Sequence, residues 1–239
     1  MAARSGPWIE LGDRVFTRRY EALDQQIGLI LGAGEALLVD TRSSHRQARE
    51  ILEDLRELTT DSVGIVVDTH WHADHTFGNH VFRPATIWGH ERCGPRLLEF
   101  GERNRAAVAE AVPEFASEVA EVVIDPPDRS FSETATIEVG GRRVELRYLG
   151  RGHTDADIVI VVPDAAVVFA GDLLEAGATP YFGDGYRSIG RRRPRGCSSS
   201  CAGRSCPDTA RSVTPPSPRS SSRPSSRSLD WAARSTPIE

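Results

Sequence analysis

The sequence VGIVVDTHWHADH, residues 63–75, carries the main signal for both fold and chemistry. Its first part, Val63 to Val67, is rich in β-branched residues and has the character of a buried strand. Three histidines and an aspartate follow within six residues, at His70, His72, Asp74 and His75. Residues that alternate along the exit of a strand point the same way, which places His70 and His72 to hold one metal ion. Asp74 and His75, at the next bend, are placed to face a second ion.

Two later positions add candidate ligands, each shortly after a predicted strand. Gly152-His153-Thr154 follows the strand ending at Tyr148, and His153 is the third histidine that a tetrahedral zinc site would use. Gly171-Asp172 follows the strand ending at Ala170, and the Asp172 carboxylate could bridge two ions. The alternative is a solvated, histidine-rich loop. We favour a metal site, because buried imidazoles and carboxylates need partners.

The surrounding sequence alternates between strands and helices. Short apolar runs predict strands at Val15–Phe16, Ile27–Leu31, Ala36–Val39, Val63–Val67, Thr86–Trp88, Thr136–Val139, Arg142–Tyr148, Ile158–Val162 and Ala166–Ala170. Apolar residues at helical spacing predict a helix over His45–Leu58, and a second helix from Arg92 or Pro95 to about Val112. Gly140-Gly141 and Pro163-Asp164-Ala165 indicate two hairpins. The order predicts an α/β architecture of largely antiparallel sheets covered by helices.

Composition excludes some functions. The chain has 239 residues, 39% hydrophobic and 26% charged, which is typical of a globular protein. Ten of its 29 basic residues lie in residues 190–239, a segment that has three acidic residues. The first 189 residues hold the other 19 basic residues and 31 acidic ones. A nucleic-acid partner is therefore not expected, because the body of the chain is acidic. No apolar run is long enough to span a bilayer, and Cys93 is the one cysteine of the body, so we expect a cytoplasmic protein.

The character of the sequence changes near Ser188. Residues 190–239 contain 13 serines, ten arginines and seven prolines without an apolar period. Such a segment buries too little surface to offset its ordering entropy. We therefore predict one domain over residues 1–189 and a disordered tail over residues 190–239. The abrupt change suggests a shift of reading frame, a hypothesis that translation of the tail's DNA in the other frames would test.

The motifs resemble the successive metal motifs of the metallo-β-lactamase superfamily: His70 to His75, Gly152-His153-Thr154 and Gly171-Asp172-Leu173-Leu174. Leu37 to Thr41 resembles the early strand of that superfamily, which ends in an aspartate. The resemblance covers about residues 8–188 and implies an αββα sandwich with the metals in a cleft at one edge. It implies a first ion held by His70, His72 and His153, and a second held by Asp74 and His75, with Asp172 shared. Asp40 would support the site, and Asp74 would also act in catalysis by orienting the nucleophile.

One feature departs from that pattern. Members of the superfamily usually place a further histidine after the shared aspartate, whereas no histidine follows His153 here. The resemblance also calls for another strand and helices after Asp172, which the tail composition does not supply. We therefore expect an incomplete second half of the sandwich, one tightly held metal, a weaker second one and low activity.

The chemistry implied by the resemblance is hydrolysis of an ester, thioester or lactam bond in a small molecule. The expected cofactor is one or two Zn²⁺ ions, and the nucleophile a metal-activated hydroxide. The shared Asp172 resembles glyoxalase II-like hydrolases more than true β-lactamases, which often lack an aspartate there. One alternative is a mononuclear iron enzyme resembling persulfide dioxygenases, with His70, His153 and Asp172 as ligands. The other is an inactive, truncated scaffold that binds metal. The sequence predicts no oligomeric state.

Overall fold

The computed structural model describes residues 6–174 and Gly185, and the predicted tail at residues 190–239 lies outside them. Seven strands form the first sheet in sequence order: β1 Ile9–Gly12, β2 Val15–Tyr20, β3 Gln25–Leu31, β4 Ala36–Val39, β5 Val63–Val67, β6 Thr86–His90 and β7 Arg129–Phe131. Four strands form the second sheet in the order β11-β10-β9-β8: β8 Thr134–Val139, β9 Arg142–Tyr148, β10 Ile158–Val162 and β11 Val167–Phe169. The helices are α1 His45–Leu55, α2 Ala73–Thr76, α3 Cys93–Ala111 and α4 Ala116–Ala120.

Strand direction differs between the two parts of the first sheet. Strands β1 to β4 pair antiparallel, whereas β4 to β7 pair parallel. Six of the nine strand pairings that the described residues form in the two sheets are antiparallel, in line with the prediction of largely antiparallel sheets, and the parallel part is the difference from it. Its physical reason is the crossover connection: α1 carries the chain from β4 to β5, and α3 carries it from β6 to β7, which leaves the joined strands parallel. The second sheet is antiparallel throughout, as predicted.

The two sheets pack face to face through alternate apolar residues. Val39 and Val67 of the first sheet belong to one buried cluster with Leu146 and Ile160 of the second. The opposite face of the first sheet is covered by α1, whose Ile51 is fully buried among residues of β3 to β6. Helix α1 begins after Ser44, whose hydroxyl accepts a hydrogen bond from the Gln47 amide, and it ends at Leu55 rather than Leu58.

A third cluster lies beneath the histidine-rich turn. Trp71 and Phe77 pack there with Cys93 and Leu97 of α3, so that the helix supports the turn from below. Within residues 6–174, the longer helices α1 and α3 lie on the side of the first sheet, and β11 is followed by a single 3-10 turn, Gly171–Leu173. This part of the chain thus supplies one helical layer and both sheet layers of the predicted sandwich. None of its helices combines the length and apolar character needed to cross a membrane.

Candidate metal centre

Three chain segments meet at one edge of the two sheets. The turn after β5 carries His70 and His72, the loop between β9 and β10 carries His153, and the 3-10 turn after β11 carries Asp172. A backbone hydrogen bond of 3.0 Å from the Ile158 amide to the Thr69 carbonyl joins the first two segments. The convergence at one edge places candidate ligands from both halves of the fold around one cleft.

Three imidazole nitrogens form the first group. The ligand atoms of His70, His72 and His153 all lie within 4.8 Å of one another. Nδ1 of His72 lies 3.1 Å from Nε2 of His70 and 2.9 Å from Nε2 of His153. His70 and His153 are buried, so these nitrogens face each other out of contact with bulk water.

A mixed group lies next to the first one. His70, His75 and Asp172 also bring one ligand atom each within 4.8 Å of the others. Nε2 of His75 lies 3.4 Å from Oδ1 of Asp172 and 3.4 Å from Oδ2 of Asp74. The second oxygen of Asp172, Oδ2, lies 3.5 Å from Nε2 of His153. The Asp172 carboxylate therefore stands between the two groups.

Asp40 holds the histidine turn from behind. Its Oδ1 accepts a hydrogen bond of 2.8 Å from the Thr69 amide, and its Oδ2 accepts one of 2.9 Å from the Thr69 hydroxyl. Nδ1 of His75 lies 2.8 Å from the same Oδ2. Asp40 is buried at the end of β4, so one carboxylate sets the orientation of both Thr69 and His75.

This network decides where the imidazole lone pairs point. Nδ1 of His75 donates to Asp40, so Nε2 is the ring atom that faces the Asp74 and Asp172 carboxylates. The Thr69 hydroxyl uses its proton on Asp40, so its oxygen accepts from Nδ1 of His70, 3.1 Å away. Nε2 of His70 is then an acceptor, and it lies 3.1 Å from Nδ1 of His72 and 4.0 Å from Oδ2 of Asp172. A metal ion bound here would satisfy this lone pair together with the Asp172 carboxylate.

The pKa values of the histidines differ between the two groups. Burial, together with the neighbouring imidazoles, holds the pKa of His70 well below its usual range, and burial lowers the pKa of His72 to about 4. Both rings are therefore neutral near pH 7 and have a lone pair to offer. Burial also disfavours the charged form of His75, but Asp172, Asp74 and Asp40 outweigh it and raise its pKa well above the usual range. The carboxylates thus favour a cation at this position.

The donor set fits zinc. Imidazole nitrogens bind Zn²⁺ at about 2.0–2.1 Å, and a tetrahedral arrangement separates such nitrogens by roughly 3.3 Å. The separations of 3.1 Å and 2.9 Å at His72 are close to that value. The structure thus brings together His70, His72, His75, His153 and Asp172, with Asp74 beside them.

Two glycines allow the segments to approach. Gly171 has a φ of +52°, and a Cβ atom at this position would lie 2.8 Å from the Thr69 side chain. A Cβ atom at Gly152 would lie 2.4 Å from the Leu173 side chain. A larger residue at Gly171 would therefore push Asp172 away from the histidine turn, and one at Gly152 would force the Leu173 side chain to move.

Sequence reasoning missed several residues that support the site. Nε2 of Gln25 donates a 2.9 Å hydrogen bond to the Asp74 carbonyl, and Oε1 accepts one of 3.1 Å from Nε of Arg42. The Arg42 guanidinium stacks 3.9 Å from the centre of the Tyr20 ring. Gln25 and Asp74 are 49 residues apart, so no local motif connects them. A polar residue that opens an otherwise apolar strand is the only sequence signal that could have drawn attention to Gln25.

Comparison with known proteins agrees with this geometry. A family model for the metallo-beta-lactamase superfamily matches residues 21–229. The chain is 24% identical over 158 residues to the metallo-beta-lactamase type 2 of Bacillus cereus, which covers 66% of this chain and 54% of that protein. It is 22% identical over 176 residues to the metallo-beta-lactamase type 2 of Bacteroides fragilis, and the match covers 70% of this chain and 61% of that protein. The chain thus spans little more than half the length of these curated relatives.

Solved structures show the same fold. A metallo-beta-lactamase from Pontibacter korlensis superposes with a TM-score of 0.55 at 18% identity, covering 77% of this chain and 80% of that one. TMB-1 superposes with a TM-score of 0.57 at 18% identity, covering 77% and 78%. The predicted metallo-β-lactamase-like α/β sandwich is confirmed. Because the family model matches most of its length, the chain belongs to the metallo-β-lactamase superfamily.

Proposed function

We propose that this protein is a zinc-dependent hydrolase of small molecules that cleaves an ester, thioester or lactam bond. The observation that carries the proposal is the convergence of three imidazole nitrogens, from His70, His72 and His153, within 4.8 Å. Two of these residues come from the first half of the fold and one from the second. Such a set provides three protein ligands and leaves a fourth position open, which is the arrangement of catalytic zinc sites.

The two groups of ligands would differ in strength. His70, His72 and His153 would hold the first ion, while Asp74 and His75 would hold a second, with Asp172 shared between the two. Zinc bound here would supply a Lewis acid and lower the pKa of a water ligand to roughly 7. Among residues 6–174, the second group has one imidazole of its own, so we propose a weaker second site.

Asp74 has the properties of a residue that orients the nucleophile. Burial raises the pKa of its carboxyl group, but the neighbouring His75 and His72 outweigh that effect and hold the pKa below its usual range. The carboxylate is therefore charged at neutral pH and can accept a hydrogen bond from the nucleophile at Oδ1 or Oδ2. Its backbone is held by Gln25, and its side chain lies beside Nε2 of His75. We propose Asp74 as the catalytic residue on this basis.

The substrate class follows from the relatives and the charge of the protein. The curated relatives are named metallo-beta-lactamases, so a lactam is the first substrate to test. Esters and thioesters follow, since the same polarisation of a carbonyl oxygen serves all three bonds. The acidic body disfavours a nucleic-acid substrate. The cytoplasmic location, the domain boundary at residue 189 and the disordered tail stay predictions.

The test combines metal analysis with hydrolysis assays on the purified chain. We expect at least one tightly bound zinc per chain and turnover of one member of a panel containing a β-lactam, a phenyl ester and a thioester. His72→Ala should lower zinc affinity by more than about 100-fold, since it removes a nitrogen that faces both other imidazoles. His80→Ala is the matched control, because His80 is half-exposed and pairs with Asp125 away from the cleft. Equal zinc binding by His72→Ala and the unaltered chain would refute the proposal.

The same experiment separates the two alternatives. His70, His153 and Asp172 also lie together, as an iron site with two histidines and one carboxylate requires. His72 favours zinc, because it adds a third imidazole that such an iron site would not use. Bound iron with consumption of oxygen in the presence of a persulfide would overturn the hydrolase proposal. Zinc binding without any turnover would leave a metal-binding scaffold.

A further inference from the structure

We propose that Arg96, assisted by Arg92, positions His153 for metal binding by clamping Asp155 to helix α3. The inference rests on the metal site proposed above and concerns residues outside the ligand set. Asp155 lies two residues after His153 in the loop between β9 and β10, while Arg96 lies on α3 and Arg92 directly precedes it, in the other half of the fold. We call this contact the α3 clamp.

The clamp is made of charge-assisted hydrogen bonds. Nε and Nη2 of Arg96 donate bonds of 3.1 Å and 2.9 Å to Oδ2 of Asp155. Nη1 of Arg92, one helical turn earlier, donates a 3.1 Å bond to the Asp155 backbone carbonyl. The helix thereby holds both the side chain and the main chain of one loop residue, which restricts its position more than either bond alone.

Asp155 depends strongly on this guanidinium group. Its side chain is only 4% exposed, whereas that of Arg96 is 35% exposed. Within the described part of the chain, the other carboxylate oxygen, Oδ1, is buried and accepts no hydrogen bond. A buried carboxylate that loses its cation must regain water, which favours movement of the loop toward solvent.

Movement of Asp155 would be transmitted to His153 because the loop is internally rigid. The Asp157 carboxylate accepts bonds of 2.7 Å from the Thr154 amide and 2.9 Å from the Thr154 hydroxyl. The Ala156 amide donates a 3.1 Å bond to the same hydroxyl oxygen. Residues 154–157 thus form one hydrogen-bonded unit, and His153 is attached directly to it.

The entrance of the loop is fixed by the same helix. Nη1 of Arg92 also donates a 2.9 Å bond to the hydroxyl of Tyr148, the last residue of β9. The Tyr148 ring stacks on His90 with 4.0 Å between ring centres. Helix α3 therefore fixes the loop before and after His153. Arg96 touches no ligand atom, so it is a positioning residue rather than a catalytic one.

The test measures zinc affinity by chelator competition on the full chain. Arg96→Gln should weaken zinc binding about 10- to 100-fold, the range found when groups that orient metal ligands are removed. Asp155→Asn should weaken it less, because the amide keeps an acceptor. Arg96→Lys, which has one donor group, should restore part of the loss. Glu99→Gln is the matched control, since Glu99 is the exposed partner of the same guanidinium group and lies outside the clamp.

Two readouts distinguish positioning from a general loss of stability. In the His153→Ala background, Arg96→Gln should cause no further loss of zinc affinity, because the residue through which it acts is gone. Cobalt bound in place of zinc should show an altered visible spectrum in Arg96→Gln and an unchanged one in Glu99→Gln. The clamp alone would be overturned if the losses of zinc affinity from Arg96→Gln and His153→Ala were additive. It would also be overturned if Arg96→Gln and Asp155→Asn both left zinc affinity unchanged. A chain without any zinc binding would instead overturn the proposed function, and the clamp with it.

Discussion

The candidate metal centre joins two regions that are held in place by different means. The histidine turn, residues 68–76, is fixed by hydrogen bonds from its own half of the fold, above all from Asp40 and Gln25. The second-half segments, residues 150–157 and 171–173, are fixed by close approach at glycines and by the α3 clamp. One region is thus built locally on a sheet, and the other is aligned only when both halves pack together.

This difference has an energetic consequence. The buried hydrogen bonds of the histidine turn contribute to folding whether or not a metal is present. The contacts of the second-half segments decide where His153 and Asp172 lie relative to the turn. Changes in the first region should therefore reduce stability and metal binding together. Changes in the second should reduce metal binding more than stability.

The largest effect is expected at Asp40. Asp40→Ala removes the acceptor for the Thr69 amide, the Thr69 hydroxyl and Nδ1 of His75, all of them buried. Loss of one partner from such a buried network costs about 3–5 kcal/mol in the free energy of unfolding. Urea denaturation of the metal-free protein measures this loss, and zinc titration should show both groups weakened.

Asp40→Asn is the companion variant for this prediction. The amide keeps one acceptor oxygen, so it can serve Thr69 or His75 but not all three donors. We expect a loss of stability smaller than that of Asp40→Ala. If the metal-free Asp40→Ala protein is as stable as the unaltered chain, the Asp40 carboxylate does not fix the histidine turn. The contrast between the two regions would then disappear.

The same contrast explains what could be predicted from sequence. The strands and the two long helices follow from local periodicity, and their predicted positions agree with the structure to within a few residues. Strands β1 and β7 were missed, because each is short and has little apolar pattern, as in Arg129-Ser130-Phe131. The parallel pairing of β4 to β7 was missed because strand direction depends on crossovers rather than on local pattern.

The candidate ligands could be identified from the sequence, whereas the residues that align them could not. His70, His72, Asp74 and His75 stand in one short run, and the structure places His153 and Asp172 beside them. Gln25 and Arg96 lie 49 and 59 residues from the partners that they hold, and no local motif connects either residue to its partner. Such residues become visible only when the two halves of the chain are placed in space.

The second-largest effect is expected at Gly171, in the second-half segments. Gly171→Ala places a Cβ atom 2.8 Å from the Thr69 side chain at a φ of +52°. Left-handed strain and overpacking together cost about 2–4 kcal/mol, and relief of the clash moves Asp172 away from His75. Gly34→Ala is the control, because Gly34 has a φ of +71° with no atom within 4 Å. Zinc titration should show weaker binding of the second ion in Gly171→Ala but not in Gly34→Ala. Equal affinities of the two variants for that ion would contradict the role of the close approach at Gly171.

The smallest effect is expected at Gln25, which supports the histidine turn through one hydrogen bond to the Asp74 carbonyl. Gln25→Ala leaves the Asp74 carbonyl and the buried Arg42 without their 2.9 Å and 3.1 Å bonds, at a cost of about 1–2 kcal/mol. Gln26→Ala is the matched control, since Gln26 follows on the same strand and its partner Thr17 also donates to the Ile27 carbonyl. Because the bond fixes the backbone beside His75, affinity for the second ion should fall several-fold in Gln25→Ala while the first stays unchanged. Equal losses at both ions would mean that the turn moves as one rigid unit, and the two metal groups would then share a single support.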